Sequence, residues 1–509
     1  METIKKYFGS LCVMGLGFGV VFWWGRSGFA FFDMSFFIDA SFRILNGQRI
    51  YTDFGSMSHG PLTYYLQALF FKIFGVSPTA CLLHAGAVNA IASGIICFYF
   101  SKRLSKAWGF VLGLLTLIFF YGVLSWPWVE RIGFLSAMIT FLLWDRLGEK
   151  EEISFWYPAV IGVLTALSLF DKQNIAFSLT LANSFLCLIF AWRKRSISIL
   201  IGYGLGCSIV AALLFGFLYW NGWENSYFEY FTRPASFSRF DRFFTLEQTL
   251  FNAPFLVLAA FATQALKQCL TEPDFSLFWR GILVAAVFCL MLINSPLNSS
   301  HPITDLPLVP LTLGLFLSLL KGQGEFPLAW KKEPLIFGAF LFFLVFGFEG
   351  GKSRLLWQYA FPPQAQFAPM KNPFFEGFQI QQPQGKEVDE GLDWLQANLK
   401  KEETFWVFPN LCFMYAALNK VSTSPILSIE AKVIQNLEVR KHDEKRYLTW
   451  LRTKPPPVVV IEKKPPHNNP AHESKLLLEE MPDLKKYLET SYHSVHTTEL
   501  FEFLRLNEQ

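Results

Sequence analysis

Residues 33–61 read DMSFFIDASFRILNGQRIYTDFGSMSHGP. The stretch is too polar to cross a bilayer and too apolar for an ordinary loop. It lies between apolar runs at 7–24 and 79–101, each long enough to cross about 30 Å of hydrocarbon as a helix. Its first residue is a carboxylate beside the expected lipid surface. Ionisable groups at that depth are costly, which makes Asp33 a functional candidate.

Working outward, membrane-length apolar runs recur along the first 350 residues. Eleven spans are expected, at about 7–24, 79–101, 107–125, 131–147, 156–170, 174–192, 197–219, 249–266, 280–294, 306–320 and 334–349. The chain of 509 residues is 52% hydrophobic and 17% aromatic, more apolar than a soluble protein of that length. A membrane β-barrel would show short alternating strands instead. The fold expected is an α-helical polytopic membrane protein. Lys5 and Lys6 followed by an apolar run resemble a signal peptide, but no small-residue cleavage pattern follows, so residues 7–24 read as an uncleaved first helix.

Basic residues in short loops orient the bundle. Lys5 and Lys6, then Lys102, Arg103 and Lys106, then Arg193, Lys194 and Arg195, then Lys331 and Lys332 all fall on one side, which should be cytoplasmic. An odd number of spans then places the C-terminal region outside. A bacterial inner membrane is the expected location. The net charge of +4 gives no reason to invoke nucleic acid. Cys12, Cys97, Cys187, Cys207 and Cys289 sit inside apolar runs without a CxxC pair, so they read as packing residues rather than a disulfide frame or metal site.

Two domains are expected: a membrane domain over 1–349 and an extra-cytoplasmic α/β domain over 350–509. In the latter, Glu387 to Leu399 and Asp443 to Leu451 have helical character, while Thr404 to Phe408 and Val458 to Ile461 look like buried strands. The first long outer loop, 25–78, holds two aromatic helices in the interface, Asp33–Leu45 and Leu62–Phe74. A second long loop, 221–248, carries Arg233, Arg239 and Arg242.

Each candidate residue also has a plainer reading. Asp33 suits a helix N-cap, although Phe36 stands where a capping-box glutamate would be. Both roles stay open on the residues alone. Asp39 and Arg43, four apart, read as a surface ion pair. Asp53 is a second candidate base, or it shapes its own turn. Lys172 is a candidate phosphate contact, or it pairs with Asp171, or it snorkels to the interface. Glu130 and Arg131 neutralise one another or meet substrate. Arg233 could attract a lipid headgroup. His59 and His301 are too far apart in sequence to suggest a metal site.

The order of these motifs resembles that of polyprenyl-phosphate-sugar-dependent glycosyltransferases of the GT-C class, nearest to the protein mannosyltransferases and lipid A aminoarabinose transferases. The resemblance is carried by Asp33, then Leu45-Asn46-Gly47, then Tyr51-Thr52-Asp53-Phe54, then Pro61, then Phe70-Phe71-Lys72-Ile73-Phe74-Gly75. Phe170-Asp171-Lys172-Gln173 resembles the family's Lys-Gln turn, and 301–307 resembles a polar segment before a Leu-Pro helix. It implies an inverting transfer of a sugar from a lipid-linked donor to a hydroxyl of a lipid, polysaccharide or protein. Asp33 would be the base. Lys172 and Arg233 would hold the donor phosphate. Tyr51, His59, Glu130, Arg131 and His301 would line the substrate site. No cofactor is assigned and a divalent cation is left open. Many members carry Asp-Glu at the acidic motif, whereas Met34 follows Asp33 here, so a role needing two adjacent carboxylates is not supported.

The alternative is a transporter or lipid flippase. That class shows paired repeats and ionisable groups at mid-membrane, while this chain keeps most of its charges at helix ends and shows no matching halves. A purely structural assembly protein would leave the acidic, aromatic first loop unexplained.

Overall fold

The computed structural model describes residues 2–29, 31–55, 60–122, 126–223, 274–297, 306–322, 367–427, 437–463 and 474–508, with isolated positions between 259 and 265. In chain order its helices are α1 (Glu2–Trp24), α2 (Phe31–Leu45), α3 (Leu62–Phe74), α4 (Pro78–Arg103), α5 (Lys106–Leu117), α6 (Arg131–Gly148), α7 (Trp156–Leu167), α8 (Gln173–Lys194), α9 (Ile197–Trp220), α10 (Phe275–Leu297) and α11 (Val309–Gly322). Beyond them come strands β1 (Phe367–Pro369) and β2 (Gln379–Gln381), helix α12 (Gln384–Asn398), β3 (Phe405–Phe408), α13 (Phe413–Ala417) and α14 (Leu437–Thr453). The chain closes with β4 (Val458–Glu462), α15 (Ser474–Glu479), α16 (Pro482–Ser491), β5 (Tyr492–Thr497) and β6 (Phe501–Leu506). Over their described residues, the expected spans from 7–24 to 197–219, and those at 280–294 and 306–320, are helical; in span 107–125, α5 is followed by a π-helical stretch, Ile118–Gly122, and residues 123–125 lie outside the described residues. Span 334–349 and most of 249–266 lie outside the described residues. The chain divides into two compact units: residues 1–24, 85–221 and 238–362, and residues 25–84, 222–237 and 363–509.

The first unit is a helical bundle. Among the described residues, four helices are long and apolar enough to cross a membrane: Tyr7–Trp24, Pro78–Arg103, Gln173–Lys194 and Ile197–Trp220. Leu181, Phe185, Leu188 and Trp192 on α8, and Ile201, Leu205, Ile209 and Leu213 on α9, form exposed apolar rows at helical spacing; lipid tolerates such faces and water does not. Small residues let α7 and α9 meet backbone to backbone. A methyl group at Gly162 would overlap the carbonyl of Tyr203, and one at Gly206 that of Ala159. Ser105 starts α5 as its N-cap, accepting the Trp108 N–H at 3.2 Å.

Several polar side chains inside this bundle bond across helices. Asn89 donates to the carbonyls of Gly17 at 2.9 Å and Leu117 at 3.0 Å. Asn183 accepts from Trp144 Nε1 at 3.0 Å and donates to Thr165 Oγ1 at 2.8 Å. A charged cluster the sequence did not reveal closes one end. Asp145 accepts from Arg103 at 2.9 Å, Arg280 at 3.2 Å and the Tyr99 hydroxyl at 2.6 Å. Glu149 pairs with the same two arginines. Lys321 donates to the Arg103 and Leu104 carbonyls there.

The second unit joins the first loop to the C-terminal region. Helix α2 stops because Gly47 adopts φ +83°, a conformation that a Cβ disfavours. Strand order in the larger sheet is β3-β4-β6-β5, with β3 parallel to β4 and the other pairs antiparallel. Helix α12 buries Val388, Leu392 and Leu395, the i, i+4, i+7 stripe of an amphipathic helix. The loop and this region share hydrogen bonds. Gly55 N–H donates to Pro425 O at 2.9 Å, Gln48 to Ser422 O at 2.7 Å and Arg43 to Ser424 O at 2.7 Å.

Candidate functional site

The second unit carries the candidate acid. Asp33 is the third residue of α2, in the first turn rather than at the N-cap that the sequence allowed, because the helix begins at Phe31. Asp39 and Arg43 lie further along the same helix. Their ion pair, Nε to Oδ2 at 2.8 Å, is buried, with side-chain exposures of 0% and 1%, and is not the surface pair expected. The apolar residues Phe36, Phe37, Ile38, Ala40 and Phe42 surround the helix, so α2 has no solvent face there. Burial raises the Asp39 carboxyl to about 6, against the opposing pull of the Arg43 guanidinium. The guanidinium also lies over the rings of Phe54 and Tyr415, at 5.2 and 5.8 Å.

Other first-loop candidates are placed too. Tyr51 is buried at φ +69°, its ring edge-on to Trp223 at 6.1 Å. Asp53 accepts the Arg49 N–H at 2.7 Å, the turn-shaping bond the sequence left open for it. His59 lies outside the described residues.

The first unit carries the candidate cations. Lys172 precedes α8 and Arg131 opens α6. Lys172 Nζ bonds Glu130 in a buried pair, so Glu130 takes Lys172 as partner. Asp171 accepts the Gly133 N–H at 2.7 Å, capping the start of α6. Arg131 is buried, with its guanidinium 5.6–5.9 Å from the ring centroids of Phe120, Tyr121 and Phe134. Two cations thus stand at helix N-termini, where the helix dipole is unfavourable to positive charge. Such an arrangement attracts anions, and Glu130 and Asp171 temper it. Arg233 and His301 lie outside the described residues. Among the described residues no group of three or more His, Cys, Asp or Glu side chains could hold a metal ion.

No protein-family model matches this chain, and no curated protein matches it. Solved structures do. The structure is similar to ArnT from Cupriavidus metallidurans bound to undecaprenyl phosphate, with TM-score 0.55, 12% identity and 97% of both chains covered. It is similar to the apo state of the same protein, with TM-score 0.53, 12% identity and 96% of both chains covered. The likeness runs end to end and shows the fold: an apolar helical bundle with a C-terminal sheet region, as in ArnT.

Proposed function

We propose that this protein is an inverting glycosyltransferase that moves a sugar from a polyprenyl-phosphate donor to an acceptor hydroxyl at the extra-cytoplasmic membrane face. The observation that carries the reading is the end-to-end likeness to ArnT, whose structure holds undecaprenyl phosphate. Asp33 in the first turn of α2 supports it, as does the buried cluster at Lys172.

The chemistry needs few parts. Asp33 takes the proton of the acceptor hydroxyl as its oxygen attacks the anomeric carbon. The bond from that carbon to the phosphate oxygen breaks, and the electron pair leaves with the lipid phosphate. A single displacement inverts the carbon. Phosphate is already a good leaving group, so no strong acid is required. Its growing charge is stabilised by cations held in place beforehand. Lys172 is the cation proposed in the described region, sharing its ammonium between Glu130 and the phosphate, with Arg233 as a second. Tyr51, His59, Glu130, Arg131 and His301 are proposed to contact the sugar or acceptor. Met34 occupies the place of a second carboxylate, so the residues beside Asp33 do not supply a paired-carboxylate site for a divalent cation, and no step is assigned to one.

Deletion of the protein should abolish one envelope modification and cause its polyprenyl-linked sugar donor to accumulate, both read by lipid and glycan profiling. Restoring the wild-type chain should reverse both effects. Asp33→Asn, at the same membrane level, should reverse neither. Full modification by that variant would remove Asp33 from the mechanism.

A further inference from the structure

The turn that carries Asp33 is held by residues from the far end of the chain. Just before α2, Gly28 N–H donates to Gln379 O at 2.8 Å, and Gln379 N–H donates to Arg26 O at 2.8 Å. The rings of Phe29 and Phe31 then pack on Phe413, with centroids at 5.3 and 5.8 Å. Phe375 closes the group, 5.0 Å from Phe29 and 5.5 Å from Phe413. Phe413 is fully buried and Phe375 nearly so. Asp33 lies two residues beyond Phe31.

Phe413 is itself anchored. It opens α13, and the loop before it hangs on one oxygen of Glu462. Asn410 N–H donates to Glu462 Oε1 at 2.8 Å and Leu411 N–H to the same atom at 2.6 Å. Glu462 is the last residue of β4, paired with β3 and β6 in the larger sheet. Val407 N–H on β3 donates to the Tyr415 hydroxyl at 3.0 Å, a second tie between sheet and α13. A continuous buried path therefore runs from the sheet, through the 409–412 loop and the aromatic group, to the start of α2.

We infer that Phe413 is a positioning residue: its ring, anchored to the sheet by way of Glu462, fixes the first turn of α2 and hence the place of Asp33. This rests on the reading of Asp33 as the base. The physical need is plain. Terminal turns of helices fray, and a helix of this length gains most of its stability from packing. A base displaced by about 1 Å costs roughly a hundredfold in rate.

The test uses full-length protein in nanodiscs, with hydrogen exchange read by mass spectrometry. Phe413→Leu should speed exchange of the amides at 31–36 about tenfold and leave those at 458–462 protected. Its binding of undecaprenyl phosphate should stay within about twofold of wild type, while envelope modification in the deletion strain falls about tenfold or more at matched protein level. Glu462→Leu should loosen the same α2 amides, and Glu462→Gln, which keeps the acceptor oxygen, should restore them. Unchanged exchange at 31–36 in Phe413→Leu overturns the inference. So does opening of 458–462 to the same extent, since that is general unfolding. Full modification by Asp33→Asn is a separate failure: it sinks the reading of the base, whatever the exchange of α2 shows.

Discussion

Glu462 and Asp39 are carboxylates with almost no water. Burial raises Glu462 to about 7, with the N–H groups of Asn410 and Leu411 pulling the other way, and it raises Asp39 to about 6. A carboxyl with a raised pKa in the fold favours the native state at low pH. Its contribution is complete below the unfolded value of about 4.5 and is lost as pH rises through about 7 for Glu462. Glu462→Gln keeps an oxygen for both N–H groups and cannot ionise. It should therefore be more stable than wild type at pH 8, by on the order of 2–3 kcal/mol, with the gap closing near pH 5. Thermal unfolding at the two pH values checks this, and an equal gap at both would refute it. Asp39 differs because Arg43 stands beside it. Removing either partner alone leaves the other charge buried, which typically costs about 3–5 kcal/mol. The spacing of four residues was plain in the sequence, but burial was not, since a helical ion pair looks the same on a wet surface or inside a protein.

Elements in the bundle were legible wherever a long apolar run had polar ends. Strands were legible where they are buried on both faces, as β3 and β4 are. The strand β5 was not. His493, Ser494, Val495 and Thr497 are exposed, and β5 is defined by its pairing with β6 rather than by a pattern of its own. Contact between α7 and α9 likewise depends on which faces meet. Gly206→Val would force the two backbones apart, while Gly204, with nothing within 4 Å of an added Cβ, offers a control on the same helix. The first variant should lose about 1–3 kcal/mol of stability and the second almost none. The fraction of detergent-solubilised protein that survives a heating series measures both.

Across the whole molecule, the first loop and the C-terminal region form one compact unit although more than 300 residues separate Arg43 from Ser424 (|i−j| = 381). A chain ending at residue 366 would uncover Phe29 and Phe31 and strip Arg43 of its carbonyl partner. Limited proteolysis of that truncated protein in membranes should cut within 31–55, a stretch expected to resist cleavage in the full chain. Equal resistance in both would show that the loop folds without its partner. The candidate site was legible in the same uneven way. The types and rough locations of Asp33, Lys172 and Glu130 stood out as charges at the ends of apolar runs, whereas the pairing of Lys172 with Glu130, 42 positions away, did not.

The amino-acid sequence by itself determined the helical membrane-protein character of the chain, the course of its described helices and the location of charges at their ends. Those features follow from hydrophobic length and periodicity, which are local. Only the tertiary structure decided that Glu130 neutralises Lys172, that Arg43 is buried, and that Phe413 reaches the turn of Asp33. Each depends on the path by which distant segments return to one another, and no local pattern of residues encodes that path.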